Sequence, residues 1–136
     1  MIIYKENIIP TEEDIITLYN DANWTAYTND KQTLMNALKN SLCLITAWNN
    51  NQLVGLIRVV GDNYTIIYIQ DILVLKSHKK QKIGTALVNK VLSKFKQVRQ
   101  NVLLTDDNPE TRGFYESLGF ESCDKGQLVS FFKMNS

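Results

Sequence analysis

The chain alternates between short apolar segments and longer stretches in which apolar residues recur every three or four positions. The short apolar segments predict β-strands. They cover residues 2–5, 42–48, 52–60, 64–75, 101–105, 120–123 and 128–134. Residues 42–48 are apolar on both faces, which is typical of a central strand. We therefore expect a sheet of six to seven strands.

The stretches with helical spacing predict about four helices between these strands. They run from Thr11 to about residue 22, from Asp30 through Leu38, over residues 84–97, and from Asn108 to Gly119. Threonine, aspartate and asparagine are favoured N-caps, and glycine is favoured just beyond a helix end. The element order β-α-α-β-β-β-α-β-α-β-β predicts one α/β domain over residues 1–136, with a mixed sheet.

Composition narrows the class of protein. Of the 136 residues, 44% are hydrophobic and 21% are charged, as in ordinary globular proteins. The net charge of +1 is smaller than a nucleic-acid-binding domain usually carries. No apolar run approaches the ~18 residues of a membrane span. Cys43 and Cys123 lack metal-ligand spacing and predict free thiols. We expect a cytoplasmic protein without a metal, nucleic-acid or membrane partner.

A basic loop joins the strand at residues 64–75 to the helix that follows. Lysines stand at positions 76, 79, 80 and 82, and Gly84 comes just after them. A helix that begins at such a loop directs free backbone N–H groups and the positive end of its dipole at the turn. Phosphate is the preferred occupant of such a place. A solvated turn would explain the lysines equally well.

Two segments resemble motifs of the GNAT superfamily, the acetyl-CoA-dependent N-acetyltransferases. Val74 to Leu87 (VLKSHKKQKIGTAL) is similar to the family's strand ending in valine, followed by (Gln/Arg)-x-x-Gly-x-(Gly/Ala) and a helix. Asn108 to Phe120 (NPETRGFYESLGF) is similar to the family's Asn…Phe-Tyr-x-x-x-Gly-Phe segment. The element order is similar too. The resemblance covers nearly the whole chain and implies the GNAT fold, with a mostly antiparallel central sheet.

The first motif departs from the family pattern in two positions. Counted from Val74, Lys79 stands where the family has Gln or Arg, and Lys82 stands where the first glycine usually lies. Starting the motif at Gln81 restores the letters but shifts the loop by two residues, so we prefer the first register. Backbone N–H groups would bind most of the pyrophosphate, so Lys82 is acceptable if its backbone angles are allowed for a residue with a Cβ.

The resemblance implies direct transfer of the acetyl group from acetyl-CoA, as co-substrate, to a primary amine. It assigns acetyl-CoA to a strand end, the loop and the first helical turn: Ile72, Leu73, Val74, Lys79, Lys80, Gln81, Lys82, Ile83, Gly84 and Thr85. The amide of Ile72 would donate to the thioester oxygen.

Two residues of the second motif receive roles from the same resemblance. Tyr115 stands at the family's tyrosine position and is our candidate for the acid that protonates the departing thiolate, since a phenol has a pKa of ~10. Asn108 resembles the asparagine that touches the pantetheine arm, although helix capping alone would also explain it.

The general base and the acceptor pocket stay open. Gln70 and Asp71 lie in the strand beside the expected acetyl group, on opposite faces by alternation, and such a polar pair suggests a bulge or a functional edge. Asp71 could accept a proton through water or satisfy backbone donors. Trp24 and Tyr27 lie in the region where the family builds its acceptor pocket, and packing under the loop is the equal alternative. Gln70 is a further candidate for binding the acceptor.

Three other functions compete with acetylation of a small-molecule amine or amino acid. The same fold could serve as a non-catalytic acyl-CoA-binding or regulatory module. The acceptor could be a protein amino group, although the short chain has no extension for gripping a peptide. A nucleic-acid-binding domain using the lysine loop is disfavoured by the near-neutral charge. A homodimer is also an open expectation.

Overall fold

The computed structural model of the chain describes residues 1–135, which fall into two compact units. The first unit is Met1–Leu104, and the second begins at Thr105. Each unit is described by itself below. Within residues 1–135, no helix is long and apolar enough to cross a membrane. A single domain over the full chain stays a prediction.

Among the described residues, the first unit contains all the strands and most of the helices. Its elements are β1 (Ile2–Glu6), α1 (Glu12–Asp21), α2 (Thr25–Thr28), α3 (Lys31–Lys39), β2 (Cys43–Asn49), β3 (Gln52–Gly61), β4 (Ile66–Val74), α4 (Ile83–Lys94) and β5 (Gln100–Leu103). A short 3₁₀ turn, Lys76–His78, lies between β4 and α4. The short helix α2 falls in a segment that sequence patterning treats as a polar-aromatic loop.

The strands form one sheet in the order β1-β2-β3-β4-β5. The first three pairings are antiparallel, and β4 pairs with β5 in parallel. The expected mixed, mostly antiparallel sheet is therefore confirmed. The strand β2 is buried along nearly its whole length, which confirms that it is central. Helices α1 and α4 pack on the sheet and α3 packs against α1 and α2, each with buried apolar side chains.

The predicted helix starts are confirmed by their capping hydrogen bonds. Thr11 Oγ1 accepts from the Asp14 amide at 3.2 Å, and Asp30 Oδ1 accepts from the Thr33 amide at 3.1 Å. Each bond satisfies one of the backbone N–H groups that the first helical turn leaves without a partner. These local signals explain why the helix starts can be located from sequence.

The second unit contains the helix α5 (Pro109–Ser117) and a 3₁₀ turn, Cys123–Lys125. The predicted strands at residues 120–123 and 128–134 do not form among the described residues, so the expectation of six to seven strands is wrong and the sheet has five. The residues between 128 and 134 place apolar side chains side by side in two adjacent pairs, so they have no single apolar face to bury. Their large apolar side chains are 62% to 91% exposed.

Candidate active site

The loop between β4 and α4 is held at its start by side chains from neighbouring elements. The Lys76 amide donates to Asp21 Oδ2 at 2.8 Å. His78 lies between two polar side chains, with Nε2 at 3.1 Å from Asn49 Nδ2 and Nδ1 at 2.8 Å from Ser77 Oγ. These bonds fix the direction in which the chain leaves the sheet. They give His78 a structural role in the loop.

Two lysines of the loop have left-handed backbone conformations. Lys80 has φ of 65°, and Lys82 has φ of 62° and ψ of 22°. Lys82 is the position at which the family pattern has a glycine. Its angles lie in the allowed left-handed region, which a residue with a Cβ occupies at a cost of roughly 1–2 kcal/mol. The backbone angles of Lys82 are therefore allowed for a residue with a Cβ, as the motif requires. The loop has a backbone conformation at this position that glycine usually adopts.

The first turn of α4 presents free backbone donors. Lys82 is the N-cap and makes no side-chain capping bond, and no acidic residue lies in the first turn. The first helical bond runs from the Ala86 amide to the Lys82 carbonyl at 3.0 Å. The amides of Ile83, Gly84 and Thr85 therefore have no intrahelical acceptor. Together with the helix dipole they form a place suited to an anion.

The position of this helix start on the sheet depends on Gly55 of β3. A Cβ there would lie 3.1 Å from Ile83 Cγ2 and 3.2 Å from the Leu73 carbonyl oxygen. Ile83 itself is 1% exposed. The missing side chain lets the first residue of α4 pack close to β3, which places the free amides next to the end of β4.

The end of β4 has a second set of free donors along its outer edge. The Leu75 amide donates to the Val54 carbonyl at 2.9 Å. This bond shows which residues of β4 direct their N–H groups toward β3. In an antiparallel ladder every second residue points its N–H away from the partner strand, so Ile72 and Val74 point away from β3. On that side β5 pairs only with residues 66–69. The amides of Ile72 and Val74 therefore lie on an edge that β5 does not cover.

The remaining predicted acetyl-CoA residues are also in this segment. Leu73 lies between the two outward amides, and its own N–H points toward β3 by the same alternation. Lys79 and Gln81 are exposed in the loop, as are Lys80 and Lys82. Strand edge, loop and helix start are thus continuous in the chain and all lie in the first unit.

Asp71 is buried and holds three hydrogen bonds from other elements. Its Oδ2 accepts from Arg58 Nε at 2.7 Å and from the Tyr19 hydroxyl at 2.9 Å, and its Oδ1 accepts from the Tyr27 hydroxyl at 2.9 Å. The exposed fraction is 2% for Asp71 and 7% for Arg58. Buried charges need such partners, because each loses its hydration.

The β-bulge predicted around Gln70 and Asp71 is confirmed. Arg58 pairs with Asp71 and Val59 with Ile69, so Gln70 is the extra residue. Gln70 Nε2 donates to the Tyr27 hydroxyl at 3.3 Å, although Gln70 and Asp71 are successive residues. The structure therefore brings together three predicted site residues, Gln70, Asp71 and Tyr27.

Trp24 and Tyr27 pack against Tyr19, which is fully buried. Ring centroids are 5.9 Å apart for Tyr19 and Trp24, 5.3 Å for Tyr19 and Tyr27, and 6.0 Å for Trp24 and Tyr27. Trp24 and Tyr27 are only half-buried. Each ring therefore supports the core on one side and has exposed surface elsewhere, so a part in the acceptor pocket stays a prediction.

Burial and the neighbouring Asp71 carboxylate raise the pKa of Tyr27 and of Tyr19, so both phenols are protonated at neutral pH. Burial lowers the pKa of Arg58, but the charge of Asp71, the hydrogen bond to it and the two nearby tyrosines together outweigh burial, so the pKa is raised overall. Arg58 therefore stays charged. The cluster contains one fixed cation opposite the Asp71 carboxylate, and its tyrosines cannot act as bases at neutral pH.

Tyr115 lies on α5 in the second unit, among aromatic rings. It is 8% exposed and makes edge-to-face contacts with Phe114 at 5.0 Å and Phe120 at 5.7 Å. Burial raises its pKa, so it is protonated at neutral pH. Within residues 1–135, no buried side-chain oxygen lacks a hydrogen-bond partner, and Tyr115 makes no hydrogen bond. The side chain of Tyr115 is therefore largely buried, but its hydroxyl group is accessible at the protein surface.

Asn108 caps α5 as predicted, with Oδ1 accepting from the Thr111 amide at 2.8 Å. This bond uses the side-chain oxygen and leaves Nδ2 for another partner. A contact with a pantetheine arm stays a prediction.

Cys43 is buried, which raises its pKa to about 11 and makes it a poor nucleophile, whereas Cys123 is exposed. Residues 1–135 contain no group of three or more side chains suited to a metal ion.

Sequence reasoning missed Tyr19, Arg58 and Arg112. Arg58 carried a usable signal, because a single charge in the apolar segment 52–60 must find a partner if the strand is buried. Arg112 ties the start of α5 to the turn beyond it, with Nε 2.7 Å from Asp107 Oδ1 and Nη2 2.9 Å from Asp124 Oδ2. Nothing in the sequence pattern singles out that pair of contacts.

Comparison with known proteins gives the class of protein that the fold and loop indicate. Residues 7–134 match the family model described as an acetyltransferase (GNAT) domain. A GNAT-family acetyltransferase from Streptococcus pneumoniae is 34% identical, with 99% of this chain and 98% of that chain covered and a TM-score of 0.89. A protein of unknown function and probable acetyltransferase from methicillin-resistant Staphylococcus aureus is 26% identical, with 98% and 100% covered and a TM-score of 0.82. No curated protein matches.

The chain therefore belongs to the GNAT acetyltransferase family, and it is an acyltransferase. The family resemblance drawn from the two motifs is confirmed, as is the fold class.

Proposed function

We propose that this protein moves the acetyl group of acetyl-CoA directly to a primary amine of a small molecule or an amino acid. The observation that carries the proposal is the run of uncommitted backbone donors from the outer edge of β4, through a loop with two left-handed lysines, to the uncapped start of α4. Such a run suits a ligand that has a carbonyl group at one end and phosphates at the other.

The α4 end of this run would bind the pyrophosphate. Three successive amides, Ile83 to Thr85, lack helical acceptors and lie at the positive end of the dipole. The exposed lysines at positions 79, 80 and 82 add charge around the same loop. Backbone donors fix the position of a phosphate, and mobile lysines strengthen the attraction without defining the geometry.

The β4 end would bind the thioester. The outward amide of Ile72, or that of Val74, can donate to the thioester oxygen and stabilise the negative charge that develops there when an amine attacks. An amide held in a sheet is already oriented, so little reorganisation is needed during the reaction.

Tyr115 is our candidate for the acid that protonates the CoA thiolate. Its phenol is protonated at neutral pH, and its hydroxyl is not consumed by a hydrogen bond within residues 1–135. Because burial raises its pKa, full proton transfer to a thiolate costs about 1.4 kcal/mol for each unit by which the two pKa values differ. A hydrogen bond from Tyr115 would stabilise the thiolate as it leaves, before the proton is transferred.

The proton of the attacking amine needs a route to solvent, and a general-base role for Asp71 stays a prediction. Three donors already occupy its carboxylate, so this role would require one of them to move. An acceptor amine that arrives uncharged would need only a water molecule to remove its proton.

The experiment that tests this function measures free thiol released from acetyl-CoA against a panel of amines, amino acids and peptides. We expect release that depends on one class of amine and falls sharply in Tyr115→Phe, with the exposed Tyr64→Phe as the matched control. Thiol release with peptides alone would show that the acceptor is a protein amino group and not a small molecule. A rise in melting temperature with acetyl-CoA but no release from any acceptor would favour a non-catalytic acyl-CoA-binding module.

A homodimer, a cytoplasmic location and the lack of nucleic-acid or membrane partners stay predictions. The exposed apolar side chains of residues 128–134 favour self-association, since exposed apolar clusters tend to be covered. Light scattering on the protein and on Phe131→Ser/Phe132→Ser compares the two masses. A monomer for both proteins would contradict the dimer.

A further inference from the structure

In the buried pair Arg58–Asp71, Arg58 has no part in the chemistry described above, and Asp71 enters it only as a predicted general base. Replacing such a pair by apolar residues of similar volume often leaves stability unchanged or raises it, so stability alone does not explain its presence. Its contacts instead lead outward: from Arg58 to Asp71, from Asp71 to the half-buried Tyr27, and from Tyr27 to the exposed Gln70.

The Tyr27 hydroxyl is the point where these contacts meet. It donates to Asp71 Oδ1 at 2.9 Å and accepts from Gln70 Nε2 at 3.3 Å, with Arg58 Nη2 at 3.4 Å. A phenol can donate only one hydrogen bond, and here Asp71 accepts it. The oxygen can then only accept, so Gln70 must approach with its amide nitrogen. That orientation directs the amide oxygen of Gln70 away from the cluster.

We propose that Asp71 is a positioning residue: held by Arg58, it fixes the Tyr27 hydroxyl so that Gln70 presents its amide oxygen to the acceptor amine. This inference rests on the proposed function, because it names how that site recognises its acceptor. Gln70 determines specificity by accepting a hydrogen bond from the amine N–H. The acceptor is an amine recognised by neutral hydrogen bonding beside the rings of Trp24 and Tyr27, not by an ion pair with Asp71.

Tyr19 provides a matched control for Tyr27. Both hydroxyls donate to the Asp71 carboxylate at 2.9 Å, but Tyr19 is fully buried and makes no contact with Gln70 among the described side chains. Tyr19→Phe and Tyr27→Phe each remove one hydroxyl from the same carboxylate. Only the second removes the link to Gln70.

The test compares Tyr27→Phe, Gln70→Leu and Tyr19→Phe in steady-state acetyl transfer. Loss of one neutral hydrogen bond to the amine is expected to raise the KM for the amine about three- to tenfold in the first two variants. The KM for acetyl-CoA and the pH dependence of kcat should stay unchanged, and Tyr19→Phe should resemble the natural protein. An unchanged amine KM in Tyr27→Phe and Gln70→Leu would overturn the proposal.

The role of Asp71 itself is tested by replacing the whole pair, because removing one partner alone would strand a buried charge. Arg58→Met/Asp71→Leu is expected to raise the amine KM as Gln70→Leu does, with kcat within a few-fold. A fall in kcat of about 100-fold or more, with loss of the acidic limb of the pH profile, would make Asp71 a general base and overturn positioning.

Failure of the proposed function is separable from failure of this inference. If the natural protein releases no thiol with any acceptor, the proposed function fails and the cluster is tested by denaturant unfolding. Tyr27→Phe and Gln70→Leu should then show non-additive changes in the free energy of unfolding, because each group orients the other. Additive changes would overturn the positioning of Gln70 by Tyr27.

Discussion

Arg58 Nε lies 2.7 Å from Asp71 Oδ2 at the point where β4 carries its bulge, and both side chains are more than nine-tenths buried. The two residues are directly opposite each other on β3 and β4. Tyr19 from α1 and Tyr27 from α2 complete the hydrogen bonds to the carboxylate. A single ion pair therefore joins two helices to the middle of the sheet.

Asp71→Ala is expected to destabilise the protein by about 3–5 kcal/mol, because it leaves the Arg58 cation buried without a partner. Denaturant unfolding monitored by circular dichroism measures this loss. The control is Arg58→Met/Asp71→Leu, which removes both charges and should cost far less. Equal losses for the two proteins would show that hydrogen bonds to the tyrosines, and not charge pairing, account for the effect.

Replacing Lys82 in two ways separates backbone from side-chain binding of phosphate. Lys82→Gly should stabilise the protein by roughly 1 kcal/mol, since glycine adopts φ of 62° without strain. It should weaken acetyl-CoA binding only slightly, because one of the exposed lysines is lost while the backbone donors stay in place. Lys82→Val removes the same ammonium group but resists that backbone conformation, so affinity should fall. Titration calorimetry gives both affinities. If both variants lose affinity equally, the lysine charge carries the binding.

Stability below pH 4 should depend on Asp62 at the β3–β4 turn. The Tyr64 amide, the Thr65 hydroxyl and further backbone N–H groups donate to this carboxylate and lower its pKa. A lowered pKa stabilises the folded state above the unfolded pKa of about 3.9, and this contribution is lost as pH falls toward the folded value. Melting temperatures of the natural protein and Asp62→Ala should differ most at pH 7, and the difference should shrink steadily as pH falls from 4 to 2. A constant difference would exclude this titration.

The two thiols should react at very different rates. Cys123 is exposed, whereas Cys43 is buried with its pKa raised to about 11, so little thiolate forms on Cys43 at pH 8. A disulfide reagent should modify Cys123 quickly and Cys43 only after denaturant is added. Mass spectrometry of Cys123→Ser identifies the slow site. Fast modification of that variant in the folded state would contradict the burial of Cys43.

The sequence predicted well wherever the relevant signal is local. The caps at Thr11, Asp30 and Asn108 lie three residues from the amides that they accept from, so one short window contains the whole interaction. The strand, basic loop and helix start around Gly84 are likewise continuous in the chain. The motif also marks Lys82 as standing in place of a glycine, but its left-handed backbone, with φ of 62°, is a finding of the structure.

The hydrogen-bonded contacts of Asp71 with Arg58, Tyr19 and Tyr27 could not be predicted, because these residues are far apart in the chain. Tyr19 and Asp71 are separated by 52 positions and meet only through the packing of α1 against the sheet. The prediction of the last two strands was wrong for another reason. The β-propensity of residues 128–134 is high, but a strand also needs one buried face and a partner strand.

The central claim is transfer of an acetyl group to an amine nitrogen, and the position of the label after reaction with ¹³C-acetyl-CoA tests it most directly. The amine that gives the strongest thiol release is incubated with labelled acetyl-CoA, and the products are analysed by mass spectrometry. The account predicts labelled N-acetyl amine in an amount equal to the thiol released. Thiol release accompanied only by labelled acetate, or by label retained on the protein, would contradict direct transfer.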